Sequence, residues 1–249
     1  MNISVYTVCY NEEKMLPHFL NYYTRIAEKI TVWDNQSTDE SVAIAKSYPG
    51  VEVKSFDTNG EFSELALTRI RNNCWRSDGA DLAIVCDMDE FLYADNDLLV
   101  VLERSTEAIF HPVGFQMVSD AFPSNYGSLI TEQVKLGVRD EAYSKKIAFR
   151  PRLVQDMRFG VGSHQAQPFG LFPLQVYESE MHGVNLKLLH YKNLGFEYRF
   201  AHNAAIGRRM KTWEYHPSGV VLGNHYLYDY ERQMSEYLDL RSRSRQVIN

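Results

Sequence analysis

Cysteine is scarce in this chain: 249 residues carry three, Cys9, Cys74 and Cys86, with no Cys-x-x-Cys pair. An odd number without that spacing argues against a disulfide framework and against a thiolate zinc site. Positive charge is also short, 26 Lys and Arg against 32 Asp and Glu for a net charge of −6, which sets aside a general nucleic-acid binder. No stretch approaches the ~20 consecutive apolar residues of a membrane span. The first residues run straight into Ile3–Val8 with no basic segment and long apolar core, so no secretory signal is visible and a cytoplasmic protein is the expectation. Glycine is missing from Tyr10-Asn11-Glu12-Glu13, where a glycine-rich phosphate loop would follow a first strand. There is no Gly/Ser/Pro linker, repeat or low-complexity tract, which favours one continuous domain over 1–249.

What is present begins with an alternation of strand and helix patterns. Ile3–Cys9 is β-branched and apolar, as a buried parallel strand should be. Leu16, Phe19, Leu20, Tyr23, Ile26 and Ala27 recur at helical spacing, with Pro17 tolerated in the first turn. Lys29–Asp34 reads as a second strand, and Ser37 with Glu40 three positions on fits a capping box for a helix ending near Ser47. Val51–Phe56 is a third strand, Ser63–Arg76 a helix, and Leu82–Cys86 a fourth strand that stops abruptly at Asp87-Met88-Asp89-Glu90. Such βαβ units predict a parallel sheet in an α/β fold, with ligands beyond the carboxyl ends of the strands. Tyr10-Asn11-Glu12, Asp34-Asn35 and Asp87–Glu90 therefore share one rim. The second half is less regular: strands are expected near Ile109–Val118, Glu132–Val138 and Lys146–Phe149, and a helix over Tyr228–Leu240.

Two carboxylates one residue apart at a sheet edge repel unless a cation lies between them. Hard oxygen ligands of this kind suit Mg²⁺ or Mn²⁺, which bridge to substrate phosphates. An acidic turn after a strand can equally read Asp-x-Asp-Glu with no metal. The three clusters Val8–Glu13, Trp33–Asp39 and Cys86–Phe91, in this order at successive strand ends, resemble the nucleotide-sugar-binding half of GT-A glycosyltransferases, especially family 2-like members with a D-x-D-E-F motif. The resemblance covers roughly the first 95 residues. It implies a Rossmann-like GT-A fold, a mostly parallel central sheet flanked by helices with a modified C-terminal part. Residues 1–95 would form the nucleotide-sugar half and 96–249 the acceptor-binding, metal-completing half. It also implies a nucleotide-sugar donor, UDP-linked by preference, a saccharide acceptor, and Mn²⁺ or Mg²⁺. Carried over by position, Thr7, Tyr10, Asn11 and Glu12 line the base pocket and Asp34 meets the nucleoside. Asp87 reaches ribose or metal, and Asp89 is the direct metal ligand. At the second strand the family often has Asp-Asp-Gly-Ser-x-Asp, where this chain has Asn35 and Gln36 in place of the second Asp and the Gly. Arg69, Arg71, Asn72 and Asn73 fall where the family places a residue near the diphosphate, a solvated helix face being the alternative for the arginines.

Six of eight histidines lie beyond residue 160: His164, His182, His190, His202, His216 and His225. The family often completes its metal site with a C-terminal histidine followed by an aromatic residue, which makes His190, before Tyr191, the first choice; His225 and His164 are the others. Lys145, Lys146, Arg150 and Arg152 form a positive patch suited to a departing diphosphate or an anionic acceptor, or else a charged strand edge, and Arg208, Arg209 and Lys211 form a second. An inverting transferase needs a base for the acceptor hydroxyl; among Asp120, Glu132, Asp140 and Glu141, spacing chooses none, and Asp120 is taken first. The basic tail Arg241–Arg245 reads as a solvated end, or as a weak peripheral contact with anionic lipid. Aromatic residues make up 13% of the chain. The later ones, Tyr126, Phe149, Phe159, Phe169, Phe172, Tyr191, Phe196, Tyr198, Trp213 and Tyr215, are candidates for stacking on sugar rings. Two other readings stay open: a nucleotidyltransferase acting on sugar phosphates, and a non-catalytic glycan-binding protein on a degenerate transferase fold.

Overall fold

The structure, a computed structural model, describes residues 1–77, 79–183, 185–210 and 224–248. Its elements run β1 (Ile3–Cys9), α1 (Leu16–Tyr23), β2 (Lys29–Asp34), α2 (Ser41–Ser47), β3 (Val51–Ser55), α3 (Glu64–Asn73), β4 (Leu82–Val85), β5 (Glu90–Ala94), α4 (Leu98–Arg104), β6 (Ile109–His111), β7 (Val113–Ser119), α5 (Ile130–Gln133), β8 (Leu136–Arg139), β9 (Ala148–Phe149), β10 (Val176–Glu178), β11 (Leu186–Leu194), α6 (Phe196–Arg209), α7 (Tyr230–Arg243) and β12 (Arg245–Gln246). The main sheet is ordered β10-β6-β9-β4-β1-β2-β3 and is parallel from β4 to β3. The βαβ expectation is met here: apolar strands buried on both faces need helices on both sides.

A second sheet, ordered β12-β8-β7-β11-β5, was not legible beforehand. It is antiparallel apart from the β11–β7 pairing, and it joins β5 of the first half to β7, β8, β11 and β12 of the second, while β6, β9 and β10 extend the main sheet. The expected strand Ile109–Val118 is two strands in two different sheets, broken at Pro112, which has no N–H to give to a ladder. Glu132–Val138 is a helical turn followed by β8, and the long helix α6 carries no periodic apolar stripe that would announce it.

Local chemistry moved one boundary and kept another. The capping box at Ser37 does not form, because its hydroxyl accepts the Asn11 amide at 2.9 Å and its own amide goes to Asp34. The helix starts four residues on, with Asp39 accepting the Ser41 amide at 3.0 Å. Ser63 caps α3 by accepting from Ala66. Asn11 (φ 53°) and Gln36 (φ 59°) both turn left-handed at the ends of β1 and β2. Asn tolerates that conformation; Gln36 occupies it where the resembled family places a glycine, at a steric cost.

The core unites the two sheets around α1. Phe91, fully buried, meets Tyr22 and Tyr191 edge to face with centroids 5.2 and 5.1 Å apart. Tyr22 donates to the Leu92 carbonyl at 2.6 Å, and Tyr23 donates to the Glu90 carbonyl and accepts the Leu92 amide, each at 3.0 Å. Two phenols of one helix thus hold the strand that leaves the acidic turn. The basic tail is folded: Arg241 pairs with Asp120, Arg243 with Asp239, and Arg245 lies in β12 against β8. Among the described residues no helix is long and apolar enough to cross a membrane.

Candidate functional site

The acidic turn between β4 and β5 is shaped by its own backbone. The Asp87 amide donates to Glu90 Oε2 at 3.2 Å and the Glu90 amide returns to the Asp87 carbonyl at 3.1 Å. Glu90 therefore points inward, fully buried, and is no third ligand at the rim. The Tyr191 amide donates to the Asp89 carbonyl at 2.7 Å, which seats β11 beside the turn. His190 Nε2 consequently stands 3.2 Å from Asp89 Oδ2. Gly114 permits the last wall: a Cβ there would sit 2.3 Å from the Tyr143 carbonyl carbon. With only hydrogen in that place, Tyr143 stacks on His190 with centroids 4.3 Å apart.

Together these groups face a cavity of about 370 Å³, within the range of small-molecule sites. Tyr10, Glu12, Asn35, Asp87, Asp89 and His190 line it from the strand ends and β11. Arg71, Lys145, His164, Lys192, His202, Arg209 and His225 bring cations and imidazoles from the other side. Most charges are already matched. Arg71, buried, holds Asp87 at 2.6 Å and Glu64 at 3.5 Å. Lys145, also buried, lies 2.5 Å from Glu90 and 3.7 Å from Asp87 and donates to the Gly162 carbonyl at 2.7 Å. That bond fastens the Gly160–His164 loop to the turn. His202 donates to Glu12 at 2.8 Å and joins α6 to the end of β1. Arg209 lies over the Tyr10 ring, 3.4 Å from its centroid, and donates to the Gly60 and Glu61 carbonyls.

The pairing decides the protonation. Burial pushes Asp87 up, but Arg71 and then Lys145 outweigh it and hold the carboxyl below its ordinary range. Burial likewise opposes ionisation of Asp89, and His190 overrides it, so Asp89 is a carboxylate well below the usual range. Burial lowers His202, yet the Glu12 carboxylate carries it above its ordinary value. Lys145 is raised because Glu90 and Asp87 outweigh its burial. Lys192 is the reverse: burial lowers it to about 8, only partly offset by Asp89.

Among the described residues, no three His, Cys, Asp or Glu side chains cluster closely enough to enclose a metal ion. Asp89 and His190 nevertheless fit two positions of one. Two ligands about 2.1 Å from an octahedral ion at right angles are about 3 Å apart, close to their separation of 3.2 Å. A carboxylate oxygen with an imidazole nitrogen suits Mn²⁺ or Mg²⁺. Asp87 does not present itself as a direct ligand, since its oxygens are turned to Arg71 and Lys145.

Several expected site residues lie elsewhere. Asp120 is 78% exposed in a two-pronged pair with Arg241 and does not line the cavity, so its position does not suit a base there. Arg69 is exposed on α3, and Arg71, two residues on and one face round, reaches the cavity instead. Thr7 is buried with its hydroxyl on the Val8 carbonyl, and Asp34 accepts the Ser37 amide; neither lines the cavity. Asn11 ties the Thr38 amide at 2.7 Å and shapes the rim without facing in. Of the positive patch, Arg150 serves the carbonyls of Leu102, Ser105 and Glu107 at the end of α4, and Arg152 pairs with Asp81. Arg208 is exposed. None of the described later aromatics lines the cavity: Phe149, Phe159, Tyr191 and Phe196 are buried, and Phe169 and Phe172 flank a separate shallow cleft with Lys146. The rings that do are Tyr10, Phe62, Tyr143 and Tyr226. Lys211, Trp213, Tyr215 and His216 lie outside the described residues. Glu64, Tyr143, Phe62 and His202 carried no motif; the concentration of histidine in the second half was the one signal for the last.

Residues 4–110 match the family model described as glycosyl transferase family 2. No curated protein sequence matches the chain significantly. Solved structures that the chain matches include S. aureus TarS, at 13% identity and a TM-score of 0.46, with 97% of this chain and 72% of that one covered. Another is glucosyl-3-phosphoglycerate synthase from Mycobacterium tuberculosis in complex with Mn²⁺, UDP and phosphoglyceric acid, at 19% identity and a TM-score of 0.33, covering 46% of this chain and 43% of that one. A third is the galactosyltransferase LgtC with donor and acceptor sugar analogues, at 12% identity and a TM-score of 0.30, covering 44% and 46%.

Proposed function

We propose that this glycosyltransferase, whose residues 4–110 carry the family 2 domain of GT-A type, takes its sugar from a nucleoside-diphosphate donor, UDP-linked by preference, passes it to a saccharide acceptor, and uses Mn²⁺ or Mg²⁺. The observation that carries the reading is the pair Asp89–His190, an ionised carboxylate beside an imidazole at the rim of a cavity shared by the strand ends and the basic second half.

Each part has a chemical use. Tyr10, Glu12 and Asn35, at the ends of β1 and β2, border the nucleoside. Asp89 and His190 would hold the metal. When bound, a divalent ion acts as a Lewis acid on the diphosphate and supplies charge where the leaving group becomes anionic. Arg71 keeps Asp87 ionised and fixed, and Lys145 holds Glu90 in place beneath it, although burial outweighs the lysine and raises the Glu90 pKa. Tyr143 and the Gly160–His164 loop wall the cavity beside the turn.

Calorimetric titration of UDP with and without Mn²⁺ tests the reading. Binding that requires Mn²⁺ is expected; metal-independent binding, or none, overturns it. Asp89→Ala should abolish that binding and lower turnover by about 10²–10³-fold, measured as UDP release with acceptor present, while the melting temperature holds. UDP binding with no release in the presence of any acceptor would point to the non-catalytic alternative.

A further inference from the structure

We propose that Lys192 is the residue that receives the distal phosphate of the nucleoside diphosphate. The assignment deepens the donor reading above and rests on it. His190 and Lys192, two residues apart on β11, both line the cavity. Between His190 and Asn193 the pairing with β7 slips in register, the kind of irregularity that re-aims side chains beside a site. The Lys192 ammonium stands 3.2 Å from His225 Nε2 and 4.6 Å from the centre of the Tyr226 ring, and it lines the cavity.

The other cations there are spoken for. Arg71 is matched by Asp87 and Glu64, Lys145 by Glu90 and Asp87, and Arg209 by a ring and two carbonyls. Among the described residues no carboxylate pairs with Lys192; its neighbours are an imidazole and a phenol ring. An ammonium has three N–H donors. One is directed at His225, and among the described residues no other acceptor takes the remaining two, which can serve an anion. A phosphate arriving at Arg71 or Lys145 would have to break a buried ion pair, which is costly. A phosphate arriving at Lys192 breaks none, and it matches a charge that burial already disfavours. Its position two residues from His190 places it on the same side of the cavity as the Asp89–His190 pair, where the diphosphate must lie if that pair holds the ion.

The test is calorimetry on the full chain with Mg²⁺, using UDP, UMP and pyrophosphate as probes and the variants Lys192→Met and Lys192→Arg. Lys192→Met should weaken UDP and pyrophosphate at least about tenfold while UMP changes less than about threefold, as expected for losing one charge-assisted contact. Lys192→Arg, which keeps the charge, should recover most of the loss. That recovery, with an unchanged melting temperature, separates an anion contact from a packing role. If Lys192→Met binds UDP and pyrophosphate as the wild type does, or weakens UMP as much as UDP, the proposal is wrong. Wild-type protein that binds pyrophosphate through Lys192 but neither UDP nor UMP would keep the anion site and remove the uridine-donor reading. Wild-type protein that binds none of the three removes both.

Discussion

The two halves of the chain meet at one cavity but build their sides of it by different means. Up to about residue 95, carboxylates and amides sit at the ends of parallel strands, where topology alone gathers them: Glu12 after β1, Asn35 after β2, Asp87 and Asp89 after β4. After that point the contributors come from a loop, a strand of the second sheet and a helix: Lys145, His164, His190, Lys192, His202 and Arg209. The first half supplies negative charge and the second supplies most of the compensating positive charge. One arginine crosses over: Arg71, on α3, neutralises the acidic turn from within its own half. The difference teaches that the site is a largely neutralised assembly in which, among the described residues, Lys192 has no carboxylate partner.

Breaking that balance from inside the first half should have the largest effect. Arg71→Met leaves Asp87 and Glu64 without their guanidinium in a largely buried setting. We expect a loss of about 3 kcal/mol of stability, and with it a drop of roughly 6–12 °C in melting temperature by calorimetry. An unchanged melting temperature would mean that Lys145 alone balances the turn.

The contact between halves at Glu12 and His202 gives a smaller, pH-dependent effect. The folded state raises the His202 pKa above its ordinary value near 6.5, so the folded state binds the proton more tightly. This contribution is fully present below pH 6.5 and is lost as the pH rises through the folded value. Glu12→Gln should cost about 1.5 kcal/mol at pH 6 and almost nothing at pH 9, read from thermal melts across that range. A variant whose deficit is the same at both ends would show that Glu12 acts by packing.

The smallest effect is expected at Asp120, outside the cavity. Asp120→Asn removes an exposed pair with Arg241 and should change stability by less than about 1 kcal/mol, with turnover unaltered. A large loss of turnover with an intact fold would restore Asp120 as a candidate base.

Most of the rim was legible because strand-end position follows from pattern. A run such as Leu82–Val85 must be buried, and whatever polar residues end it must emerge at the sheet's edge. Which of them face inward was not legible. Asp34 and Asn35 are neighbours, yet the first caps a turn and the second lines the cavity, because Gln36 takes a left-handed conformation and folds the Ser37 amide back onto Asp34. Arg69 and Arg71 differ by two positions on a helix, a rotation of about 200°, and only packing of α3 on the sheet selects the second. The described later aromatics stay off the cavity for the opposite reason. Ring content says that a core or a platform exists, and Phe149 and Tyr191 satisfy it by filling the core.

The sequence by itself determined the βαβ order, the acidic turn after β4 and the His190-Tyr191 segment, because these depend on short-range periodicity and on the burial of apolar strands. Only the tertiary structure decided that Asp89 faces His190, that Arg71 and Lys145 meet Asp87 and Glu90, and that among the described residues Lys192 meets an imidazole rather than a carboxylate. Charge pairing in a cavity is a matter of ångströms between residues as many as 190 positions apart, as Glu12 and His202 are. No local pattern in the chain encodes a distance of that kind; the packing of the second sheet and α6 on the first sets it.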